Sequence, residues 1–131
     1  YKHRSNQIWY AGGKVDLKWG KISHRGIRKN DSPKYSYPIQ TDYVSGCCLF
    51  TSCKVLNELE GFDEQFSMYC EDVDLCIRAK GQKINCYYWP DIRIFHHVSW
   101  SLGGRRKLIK SINKIISLIK LIKKHYFSFF V

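Results

Sequence analysis

Acidic residues stop at Asp91. From Arg105 to the end the chain has eight Lys or Arg and no Asp or Glu. The formal net charge of +11 is therefore concentrated in the tail, since residues 1–104 hold fourteen basic and eleven acidic side chains. A nucleic-acid-binding body would spread basic side chains over its folded surface. This one is nearly balanced, so nucleic acid is not an expected partner, and the tail suits an anionic surface instead. No uninterrupted apolar run approaches the ~20 residues that span a bilayer. None of the six Cys, at 47, 48, 53, 70, 76 and 86, forms a Cys-X-X-Cys pair, which argues against a zinc ribbon or a thioredoxin-like motif. The sequence shows no signal peptide and does not begin with Met. The expectation is reduced, partly buried thiols and a cytoplasmic location.

What is present fits one globular domain: 131 residues, 44% hydrophobic and 25% charged. Nine Tyr, seven Phe and four Trp suit either a cleft with aromatic walls or ordinary core and surface positions. Residues 1–10 read as the end of an element. Residues 14–42, punctuated by Gly20, Gly26, Pro33 and Pro38, read as a long structured loop. Tyr43 to Phe50 reads as a buried strand with Gly46 at a close approach. Thr51 or Ser52 caps a helix that Glu60-Gly61 stops. Glu71 to Ala79 is a short helix ended by Gly81, Lys83 to Trp89 a strand, Ile92 to Phe95 another, and residues 105–125 the one long helix.

Two segments carry chemistry. In Gly61-Phe62-Asp63-Glu64 followed by Glu71-Asp72-Val73-Asp74, three carboxylates crowd the first turn of a helix. The free N–H groups and the helix dipole stabilise negative charge there. One such carboxylate facing a cleft could take a proton from a sugar hydroxyl. Acidic capping of a helix start explains the same residues equally well. The second segment, Ile94-Phe95-His96-His97-Val98-Ser99-Trp100, puts a His at a strand end, where a neutral imidazole could ligate a metal. Neighbours on a strand face opposite ways, so if His96 faces the cleft of Asp72, His97 does not.

In this order and spacing the segments resemble the family 2 glycosyltransferases, which have the GT-A fold. The shared residues are Ser45-Gly46, Gly61-Phe62-Asp63-Glu64, Glu71-Asp72-Val73-Asp74, Arg78, Gly81, Pro90 and His96. Ala11-Gly12-Gly13 and His24-Arg25-Gly26 look like the loop after the family's metal-binding aspartates. The likeness covers about residues 8–101 and leans to the rhamnosyl- and galactofuranosyltransferase branch. It implies an α/β fold, the acceptor-side, C-terminal half of a GT-A mixed-sheet domain over residues 1–104; residues 105–131 are read separately as a basic amphipathic helical tail. It also implies inverting transfer from a nucleotide-sugar donor to a glycan or lipid-linked acceptor. Asp72 matches the base. Glu71 and Asp74 match its supporting acids, with Gly46, Arg78 and Trp100 around the acceptor. His96 matches a ligand of a divalent metal, Mg or Mn, on the donor diphosphate. No Asp-X-Asp lies upstream of the base motif, so the chain is expected to lack most of the donor-binding half and to be inactive alone. A non-catalytic, glycan- or partner-binding remnant is the alternative.

In the tail, apolar residues at 109, 112, 115, 116, 119 and 122 share one helix face, with Lys107, Lys110, Lys114, Lys120 and Lys124 opposite. Such a helix reads as lying on an anionic membrane, peripheral on the inner face of the cell membrane, or as packing on its own domain with the lysines in solvent.

Overall fold

A computed structural model describes residues 6–96 and 107–126. The described chain is a mixed α/β arrangement of two small antiparallel sheets and three helices. β1 (Gly13–Asp16) and β2 (Lys21–His24) form a hairpin, with Gly13 opposite His24 and Asp16 opposite Lys21. The expected long loop over 14–42 therefore contains regular structure. Its turn has no Asn-Gly or Asp-Gly signature; Asp16 Oδ1 accepts from Trp19 N at 3.2 Å, and Gly20 takes a positive φ of 58°. β3 (Ile39–Thr41) pairs with β4 (Cys86–Tyr88) in the register Ile39 to Tyr88 and Thr41 to Cys86. The strand expected over 83–89 is shorter because its partner spans only three residues.

Two expected strands are absent. Tyr43 to Phe50 instead turns through a 3₁₀ segment, Gly46–Cys48. The N–H groups that a neighbouring strand would take go to side chains of the helix that starts at Glu71: Val44 N donates to Cys76 Sγ at 3.3 Å, and Gly46 N to Asp72 Oδ2 at 2.8 Å. Phe50, expected to be buried, is 94% exposed. Ile92 to Phe95 is irregular and largely exposed, anchored by Arg93, which donates to Pro90 O at 3.2 Å and to Asp31 Oδ2 at 2.9 Å.

The helices follow the sequence more closely. α1 (Cys53–Glu58) is capped by Ser52, whose Oγ accepts from Val55 N at 3.2 Å. α2 (Glu71–Gly81) lies between two apolar clusters. Val73 and Cys76 join Tyr43, Phe66 and Leu121, while Leu75 and Ala79 join Leu59. α3 spans Lys107–His125. Its Leu121 is fully buried in the first cluster, so the C-terminal half of α3 is packed on the body.

β1 and β3 are locked together by Thr41. Its hydroxyl accepts from Gly13 N at 2.5 Å and donates to Gly13 O at 2.8 Å. The same glycine lies against the Tyr43 ring: a Cβ placed there would sit 2.1 Å from Cε1. Gly13→Ala should therefore lower stability by about 3 kcal/mol, the upper range for overpacking a filled site. Urea unfolding checks this, and an unchanged midpoint would contradict the packing.

Candidate functional site

The chain enters α2 through two residues in the left-handed region, Tyr69 (φ 66°) and Cys70 (φ 68°). Neither is glycine, and each such residue costs about 1–3 kcal/mol. α3 holds this entry in place. Ser117 Oγ donates to Met68 O at 2.7 Å, and the Lys114 ammonium lies 5.1 Å from the centre of the Tyr69 ring. Two successive strained residues thus aim the acidic turn.

Asp72 is half-buried, and both its oxygens accept backbone N–H groups. Oδ2 takes Gly46 N at 2.8 Å, and Oδ1 takes Val73 N at 2.8 Å. Two donors fix the carboxylate in one orientation and leave further lone pairs for an outside hydroxyl. Beside it, Glu71 Oε2 is buried with no hydrogen-bond partner among the described residues. Burial, aided by the neighbouring charge of Asp72, pushes the Glu71 carboxyl above its ordinary pKa. Burial also pushes the Cys70 thiol up, to about 12.

Asp74 faces the other way. It is 0% exposed and meets two cations and an imidazole. Arg78 Nε approaches Oδ2 at 2.8 Å, while Lys124 Nζ at 2.8 Å and His125 Nε2 at 2.6 Å approach Oδ1. Burial alone would push this carboxyl up. The hydrogen bonds from His125, Lys124 and Arg78 outweigh burial and hold it below the usual range. Arg78 also donates to Gly61 O at 2.8 Å and to Leu59 O, and Lys124 reaches Asp63 Oδ2 at 2.6 Å. The Gly61-Phe62-Asp63-Glu64 turn, the acidic helix start and the last turn of α3 thus form one polar network. The sequence places Lys124 only on the basic face of the tail, and gives Asp63 and His125 no role of their own. Asp63 stands inside a quoted motif, but nothing local ties it to Lys124, 61 residues away.

His96 packs its ring 5.6 Å from that of Trp9 and lines a cleft of about 930 Å³. Trp9, Tyr10, Cys47, Cys48 and Trp89 also line this cleft. Ser45 and Cys47, on either side of Gly46, belong to the same wall, whereas Asp72 does not line it. Among the described residues no group of three His, Cys, Asp or Glu is placed to hold a metal ion. The described residues therefore do not by themselves make a metal centre around His96. Trp100 and His97 lie outside the described residues. The two early motifs do meet: Arg25 N donates to Gly12 O at 2.7 Å, and Arg25 Nη1 to Ala11 O at 3.1 Å.

The proteins similar to this chain are, by name, glycosyltransferases that move rhamnose. Over 74 residues it is 32% identical to rhamnosyltransferase WbbL of Escherichia coli, covering 55% of this chain and 28% of that protein. Over 61 residues it is 36% identical to N-acetylglucosaminyl-diphospho-decaprenol L-rhamnosyltransferase of Mycobacterium tuberculosis, covering 47% of this chain and 20% of that protein. The same protein from a second strain matches equally. The matched stretches thus span 20% to 28% of the length of these relatives. No family model matches the chain, and no solved structure matches it.

Proposed function

We propose that this chain is the acceptor-side, C-terminal part of a family 2-type glycosyltransferase domain of GT-A fold, with Asp72 as the base. The observation that carries the reading is the Asp72 carboxylate. It is half-buried, oriented by the N–H groups of Gly46 and Val73, and set at a strained helix start. The names of the partial relatives support the same activity.

In this reading the acceptor hydroxyl gives its proton to Asp72 as its oxygen attacks the anomeric carbon of a nucleotide sugar. The bond from that carbon to the diphosphate breaks on the opposite face, and the sugar is transferred with inversion. Glu71, lifted toward its protonated form, contacts the acceptor beside Asp72. Asp74 and Arg78 act as positioning residues that hold α2 against Gly61 and α3, and the Gly46 N–H aims Asp72. Trp100 would supply an aromatic surface to the sugar. His96 would be one protein ligand of a Mg or Mn ion on the donor diphosphate. A lipid-linked acceptor fits the mycobacterial relative, whose name specifies a decaprenol diphosphate sugar. It also fits a peripheral position on the inner face of the cell membrane.

The test is transfer by the full-length gene product, given nucleotide-activated L-rhamnose and other nucleotide sugars with a polyprenyl-diphosphate-linked N-acetylglucosamine. Mass spectrometry of the lipid should show one added sugar with the full-length protein and none with residues 1–131 alone. A folded full-length protein that transfers nothing from any nucleotide sugar would overturn the enzyme reading. Retained glycan binding in that case would favour the non-catalytic alternative.

A further inference from the structure

α3 reverses the arrangement its sequence suggests. Three of its lysines, expected in solvent or on an anionic surface, turn toward the body. Lys120 Nζ donates to Gln65 O at 2.8 Å, Lys124 bridges Asp63 and Asp74, and Lys114 lies over Tyr69. Ser117 and Leu121 complete this docked face. The apolar residues face outward instead. Leu108, Ile109, Ile112, Ile115, Ile116 and Ile119 are 44% to 74% exposed. At 1.5 Å per residue they form a stripe about 17 Å long. Exposed apolar surface of this continuity marks an interaction site.

What covers the stripe follows from what borders it. Lys114, Lys120 and Lys124 are engaged with the body, so the charge beside the stripe is that of the exposed Lys123, four residues after Ile119, and α3 has no acidic residue to receive a second copy's lysine. An apolar stripe with so little charge beside it suits the hydrocarbon edge of a lipid layer. A second observation lies alongside. The β1–β2 turn touches the flank of α3, since a Cβ at Gly20 would sit 3.3 Å from Ile122 Cδ1 and 3.8 Å from Leu118 Cδ2. Trp19, next to that glycine, is 76% exposed, with Lys18 5.7 Å from its ring centre. An exposed indole beside a Lys is a side-chain pair suited to the membrane–water interface.

We infer that the outward face of α3, together with Trp19, inserts into the outer acyl layer of a membrane. Apolar burial supplies most of the attachment and the lysines the smaller share. This rests on the peripheral location proposed above, and states which surface makes the contact and by which force. It also gives α3 two roles on opposite faces, holding the strained entry to α2 on one and lipid on the other.

The test is co-sedimentation of the full-length protein with phosphatidylcholine vesicles and with vesicles containing phosphatidylglycerol, at low salt and at about 1 M salt, where the Debye length falls to about 3 Å. Insertion predicts binding to both vesicle types, retained within a few-fold at high salt. The double variant Ile112→Asn, Ile116→Asn should bind at least about tenfold more weakly, since two branched side chains no longer partition into lipid. Both residues are exposed, so its melting temperature should not change. Trp19→Phe should remove most of the lipid-induced blue shift in Trp emission. Binding to anionic vesicles alone, abolished by salt, would overturn insertion while sparing the peripheral location. No binding to either vesicle would overturn both. A lipid-free dimer that the Ile variant dissociates would give the stripe to a second copy and overturn the inference.

Discussion

Asp74→Ala should destabilise the domain by about 3–5 kcal/mol, the usual loss when one partner of a buried ionic network is removed. The carboxylate is fully buried, and Arg78, Lys124 and His125 all converge on it. Arg78 cannot easily leave, because its other nitrogens are spent on Gly61 O and Leu59 O. It would remain charged in a pocket without its anion. Lys124 and His125 sit in the last turn of α3, so their release would also loosen the helix that supports Met68 and Tyr69. For a chain of 131 residues this loss corresponds to a melting temperature lower by about 10 °C or more. Thermal unfolding followed by circular dichroism checks it. The folded carboxyl lies below the usual carboxylate range, so its stabilisation is present above the unfolded pKa and is lost as pH falls through the folded one. The difference between wild type and Asp74→Ala should accordingly shrink in acid. Asp63→Ala, which removes a more exposed partner of Lys124, should cost much less.

Asp72→Asn should do the opposite: large in activity, small in stability. The Asn oxygen can still accept one of the two N–H donors, but its amide would face the other. A loss of about 1 kcal/mol is expected from one misplaced hydrogen bond. The proton acceptor, however, is gone, and losing a general base lowers turnover by roughly 10²–10⁴-fold. The two neighbouring aspartates of one helical turn are thus separable. Asp74→Ala acts mainly through folding and Asp72→Asn through chemistry.

The division between legible and hidden features follows chain distance. α1, α2 and α3 were readable because each announces itself locally, through Ser52 as a cap, Gly81 as an end and the apolar spacing of the tail. The acidic helix start was readable for the same reason. The β1–β2 hairpin was missed because its turn lacks the usual residues, and the strand expected at Tyr43–Phe50 failed because α2 side chains, far along the chain, took its N–H groups. Periodicity separated the two faces of α3 correctly. It could not say which face meets the body, since that depends on Asp63 and Asp74 lying opposite Lys124. The site divides in the same way. The Gly46–Asp72 contact fits the quoted motifs, while the inward aim of Asp74 needed the end of the chain.

The most direct measurement is the rate of sugar transfer by the full-length Asp72→Asn protein, at saturating donor and acceptor, beside wild type. Its folding is verified by a melting temperature within a few degrees. A fall of roughly 10²–10⁴-fold in turnover is the predicted result. Near-normal turnover by that folded variant would contradict the assignment of Asp72 as the base.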